Sequence, residues 1–94
     1  MTNHGYSICP YLMGHGIDRR IHEPPHVLNY HHPRFAPPLT EWLVITIEPI
    51  IAAGNGAVRQ AGDGWTLKTR DGSNTAHTEH TIVRTAGEPI ILTA

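Results

Sequence analysis

Eight prolines and nine glycines, spread through 94 residues, deny this chain a long helix. Proline fixes φ and removes a backbone donor, and glycine loosens the backbone around it. The pieces left between them are short, and several alternate apolar with polar, which predicts strands joined by tight turns. "YSICPYL" at 6–12 reads as a short strand broken by Pro10. "GHGIDRRIHEPPH" at 14–26 reads as a loop with a brief extended piece, and "NYHHPRFAPPL" at 29–39 as irregular or polyproline-like. "LVITIEPII" at 43–51 is the strongest strand, ended by Pro49 and the "AAGNG" turn signal. "AGDGW" at 61–65 is a turn, "WTLKT" at 65–69 a half-buried strand, and "RDGS" at 70–73 a hairpin turn of the Asp-Gly type. "HTEHTIVRT" at 77–85 and "EPIILTA" at 88–94 complete a mostly antiparallel β chain with an irregular arm at 14–40. A sheet without helices to cover it is unusual, so something beyond these elements is expected to pack on it.

The strongest strand contains a contradiction. Glu48 sits inside the most apolar run of the chain, immediately before Pro49. A carboxylate ionised in apolar surroundings needs a cation or hydrogen-bond donors to meet it. On the period-2 rule Glu48 shares a face with Val44 and Thr46, and Glu79 with Thr81 and Val83, while His80 points away with Ile82. Two strand carboxylates could converge on one divalent cation, or each could lie on the wet face of an edge strand. His15, between two glycines in "GHG", could join them as a nitrogen donor in a mixed set suited to Mn, Fe, Co or Zn, or be an ordinary turn histidine. His22, restrained by Pro24 and Pro25, could serve as a fixed hydrogen-bond or acid–base group, or be an exposed loop residue. His77 and His80 flank Glu79 on opposite strand faces, so they form no ligand pair, though one could support Glu79 from behind.

The rest of the composition narrows the class. Seven Lys+Arg against eight Asp+Glu leave a net charge of −1, without the basic excess that nucleic acid or an anionic membrane would call for. No stretch approaches the ~20 apolar residues of a membrane span, and the N-terminus carries no signal-peptide pattern. Cys9 is the single cysteine, which allows no internal disulfide. These features together predict a soluble, cytoplasmic chain. Its eight histidines outnumber its six aromatic residues, so the composition favours ligand-capable groups over core mass.

Four blocks in series carry a resemblance: "GHGIDRRIHEPPHVLNY", "LVITIEPII", "DGWTLKTRDGSNTAH" and "EHTIVRTAGEPIILT". In this order and spacing the chain resembles the C-terminal half of the type I, bacterial methionine aminopeptidases, over nearly its whole length. The resemblance implies an α+β class, one half of a pita-bread (creatinase/aminopeptidase) fold, with little helix in residues 1–94, a single partial domain. It implies removal of the initiator methionine from nascent peptides at a centre of two divalent ions. His15, Glu48 and Glu79 match the family's metal ligands, with Glu79 bridging and Glu48 also the acid–base group that shuttles a proton. His22 matches the histidine that contacts the substrate peptide and stabilises the transition state. Trp65 matches the tryptophan bordering the methionine pocket.

The family's other two ligands are aspartates from its N-terminal half, and Asp18, Asp63 and Asp71 do not match them. The expectation is therefore a truncated chain, inactive or nearly so alone, that needs a separate N-terminal half or self-association. The alternative is a non-catalytic remnant or peptide-binding module. A histidine-rich metal protein would depend instead on His26, His31 and His32. Three positions depart from the family pattern. Asp18 replaces the second glycine of the usual "GHGIGR", Trp42 stands where a small glycine usually turns the chain into the "TIEP" strand, and Arg84 occupies a position that is typically apolar.

Overall fold

The computed structural model describes residues 4–9, 12–35 and 37–93. Ten short strands form within them: β1 (Ser7–Ile8), β2 (Gly14–Gly16), β3 (Glu23–Val27), β4 (Val44–Ile47), β5 (Ile50–Ala52), β6 (Val58–Gln60), β7 (Leu67–Thr69), β8 (Thr75–His77), β9 (His80–Val83) and β10 (Ile90–Ile91). Every pairing is antiparallel. A five-stranded sheet runs β10-β9-β4-β2-β3, a three-stranded sheet β1-β5-β8, and β6 pairs with β7 alone. No α-helix occurs among the described residues, and none is long and apolar enough to cross a membrane.

The expected single strand at 43–51 is two strands in two sheets. β4 joins the larger sheet and β5 the smaller, with Glu48 and Pro49 between them. The expected strand at 77–85 divides in the same way, into β8 and β9, at Thr78 and Glu79. Both divisions have one cause. Pro49 has no N–H to give the ladder, so regular pairing lapses on both strands where they face each other. Thr78 N still donates to the Pro49 carbonyl at 3.3 Å.

The segment at 14–26, expected to be a loop, is the β2–β3 hairpin. Two prolines survive in β3 because it is the edge strand and because a bulge falls between His15 and Gly16, so Pro24 and Pro25 have no register partner. The peptide bond between them is cis. "RDGS" does turn, with Gly72 at φ +75°, but it joins β7 to β8, which belong to different sheets, so it closes no hairpin. β6 was not expected; its apolar signal is one residue, Val58. The last strand is confined to Ile90–Ile91, and the part of the 6–12 strand at Pro10 and Tyr11 lies outside the described residues.

The core is small. Cys9, Ile45 and Ala52 are its fully buried apolar side chains among the described residues, with Thr46 buried beside them. β4 is the middle strand of five, so both its edges are paired; Ile45 and Thr46 are buried, while Ile47 stays exposed. Ile45, Ile47 and Ile82 give one face to a hollow of about 350 Å³, closed in part by Tyr30, Phe35 and Leu39 of the irregular arm.

Candidate metal centre

Register on the two sides of the proline break decides what the site contains. Ile47 pairs with His80 before the break and Ile50 with His77 after it. The register is the same on both sides, so Glu48 and Glu79 stand directly opposite each other. Thr46 opposes Thr81 two residues earlier, on the same face. Like charges placed directly across an antiparallel pair repel. The carboxylates of Glu48 and Glu79 therefore face each other at the junction of the two sheets.

His15 arrives from β2, whose Gly16 pairs with Ile45, so His15 lies over Thr46 on the face that carries Glu48. Its N–H donates to Thr46 Oγ1 at 2.9 Å. The flanking glycines are needed for close approach. A Cβ on Gly14 would be driven into the Thr46 carbonyl, and one on Gly16 into the Pro24 carbonyl. The glycines beside His15 are thus there for close packing of the backbone.

His15 Nδ1 lies 3.0 Å from the Gly16 carbonyl, an acceptor only, so Nδ1 is the N–H donor and Nε2 is left for the site. Nε2 lies 3.9 Å from Glu48 Oε2, with side-chain exposures of 12 % and 17 %. One donor atom each of His15, Glu48 and Glu79 falls within 4.8 Å of the other two. Burial pushes the Glu48 carboxyl above its ordinary range, and the nearby Glu79 carboxylate adds to this; positive charge on His15 and His77 opposes it. A nitrogen lone pair and two carboxylates on one point are a mixed N/O set for a divalent cation, and such an ion would offset both the repulsion and the burial cost.

The sequence-derived candidates divide accordingly. His15, Glu48 and Glu79 come together. His22 joins them from the β2–β3 connection, its ring centroid 4.3 Å from that of His15. Trp65 is at the tip of the β6–β7 hairpin, 80 % exposed, where Asp63 Oδ1 accepts from its N–H. His80 faces away, its Nδ1 against the Thr93 carbonyl at 3.0 Å. Among the described residues His26, His31 and His32 form no metal-capable group. Asp18 is exposed in the β2–β3 turn, and Arg84 continues the ladder past β9 by donating its N–H to the Leu43 carbonyl at 2.9 Å. One residue was missed from the sequence. Asn29 donates from Nδ2 to the Leu12 carbonyl at 3.0 Å and to the Glu48 carbonyl at 3.3 Å. Lying in a proline-rich, irregular stretch, it had no pattern to mark it.

A family model described as metallopeptidase family M24 matches residues 1–86. The chain belongs to metallopeptidase family M24. Within that family it is 47% identical over 90 residues to methionine aminopeptidase 2 of Bacillus subtilis, covering 95% of this chain and 36% of that protein. It is 44% identical over 89 residues to the methionine aminopeptidase of Escherichia coli, covering 95% of this chain and 34% of the relative. The crystal structure of methionine aminopeptidase from Rickettsia prowazekii superposes with a TM-score of 0.92 at 40% identity, over 99% of this chain and 38% of that one. The chain thus spans about a third of the length of these M24 relatives. The fold is the part of the pita-bread architecture expected from the four sequence blocks.

Proposed function

We propose that this chain contributes the His15–Glu48–Glu79 part of a metal-dependent methionine aminopeptidase, which removes N-terminal methionine from peptides. The observation that carries the reading is the opposed pair Glu48 and Glu79 with His15 Nε2 directed at them. These three residues would hold the ion. A divalent ion bound there supplies positive charge to polarise the scissile carbonyl and to acidify a water.

The chain's own groups supply the rest. Glu48, whose carboxylate lies beside Glu79 and His15, is placed to take a proton from the attacking water and deliver it to the leaving amine. His22, beside His15 and exposed, is placed to contact the peptide next to the bond being broken. Trp65 offers an exposed indole as a border for the methionine side chain. Mn, Fe, Co and Zn all suit this donor set. Three protein donors are few for two ions, so the isolated chain is expected to be inactive or nearly so until further carboxylates are supplied.

The test is methionine release from Met-Ala-Ser with excess Mn(II) or Co(II), beside a chelated control and Glu48→Ala, repeated with the N-terminal half of a relative added. Metal-dependent release that vanishes in Glu48→Ala supports the reading. No release under either condition, with intact peptide still bound, would leave a peptide-binding module instead.

A further inference from the structure

We propose that Asn29 is a positioning residue that fixes the separation of His15 from Glu48, an inference that rests on reading the cluster as a metal centre. His15 and Glu48 come from strands that meet at a single register pair, Gly16 with Ile45. Glu48 lies beyond the end of β4, where Pro49 interrupts the ladder, so regular strand pairing does not hold its backbone. The Asn29 carboxamide supplies that hold. Its two N–H groups go one each to the Leu12 carbonyl, two residues before β2, and to the Glu48 carbonyl. The orientation of the amide is fixed by its surroundings, since its oxygen turned toward two carbonyls would be repelled. Asn29 follows β3 by two residues, so the hairpin that presents His15 and His22 is tied at its base to the break that presents Glu48. The group is half-buried and bonds to main chain, so it can act on geometry without being a ligand.

The experiment compares the wild-type chain with Asn29→Asp, which keeps the shape and replaces the donors by acceptors. Thr69→Val is the control, since it removes a hydrogen bond of Thr69 Oγ1 to the Ser73 carbonyl, outside the cluster. Two readouts are taken: NMR resonances of the His15 ring and the Glu48 carbonyl without metal, and Co(II) affinity with its visible absorption. Asn29→Asp is expected to shift both resonances and to weaken Co(II) binding about tenfold with an altered spectrum, as loss of an outer partner commonly does. Thr69→Val is expected to leave both unchanged. Unshifted His15 resonances in Asn29→Asp, or equal shifts in Thr69→Val, overturn the proposal. If the wild-type chain binds no Co(II), the metal reading fails by itself and the metal-free resonances still decide the role of Asn29. Should Asn29→Asp not fold, Asn29→Ser, with one donor in place of two, is read by the same resonances.

Discussion

At position 42 the backbone takes φ +70°, in the left-handed region, with a tryptophan side chain that is 66 % exposed. Its N–H donates to the Arg84 carbonyl at 2.6 Å, which ties the entry of β4 to the exit of β9. A residue with a Cβ held there costs about 1–2 kcal/mol. The exposed indole returns little by burial. Trp42→Gly removes the strain and restores roughly 0.5–1 kcal/mol of it to the cost of a freer unfolded chain. The net expectation is a small stabilisation, read as a higher denaturant midpoint with unchanged slope. This departure was marked only by the family resemblance, as a bulky residue where a small glycine usually turns the chain. The sign of φ needed the structure, because no local pattern states it.

Without a cation, the surroundings of Glu48 disfavour its ionised form. Burial and Glu79 raise its carboxyl in the folded state, so the folded chain keeps that proton to higher pH than the unfolded chain does. Between the ordinary glutamate value of about 4.3 and the raised one, the folded state binds more protons, and stability falls as pH rises. In metal-free protein the melting temperature is expected to drop as pH climbs through that window, and Glu48→Gln to flatten the drop. A wild-type profile as flat as that of Glu48→Gln would contradict the account.

Among the elements, hydrophobic alternation located β4, β7 and β9 but not the partnerships between them. "LVITIEPII" and "HTEHTIVRT" read as continuous strands because apolar content runs through Glu48 and Glu79. The common break at Pro49 is a property of the pair, and a single segment cannot display it. The β2–β3 hairpin was hidden by its prolines, which local rules assign to loops. They are tolerated there through an edge and a bulge, which are facts of topology. The same-face parity of Glu48 with Thr46, and of Glu79 with Thr81, followed from period 2 alone. Their direct opposition required the register. Asn29 was illegible for a related reason: its two acceptors lie 17 and 19 residues away.

The whole molecule exposes more surface than its mass warrants. Its accessible area is 6943 Å² at 10.4 kDa, where a folded monomer of that mass would show about 5,400 Å². The radius of gyration is 14.7 Å against an expected value of about 12 Å. Tyr30, Phe35, Leu39 and Ile47 on one side, and Ile90, Ile91 and Leu92 near the edge strand β10, are each 40% exposed or more. Apolar faces and open strand edges of this kind promote association. The isolated chain is expected to elute as oligomers in light-scattering chromatography and to bind a hydrophobic dye. A monodisperse monomer that melts sharply and binds no dye would contradict this.

Glu48, Glu79 and His15 are proposed to form one cation site because the strands oppose the two carboxylates. Calorimetric titration of Co(II) into the wild-type chain, Glu79→Gln and the triple variant His26→Ala/His31→Ala/His32→Ala tests it most directly. Saturable binding is expected, at least tenfold weaker in Glu79→Gln and unchanged in the triple variant. Binding that survives Glu79→Gln and is lost with the three histidines would contradict it.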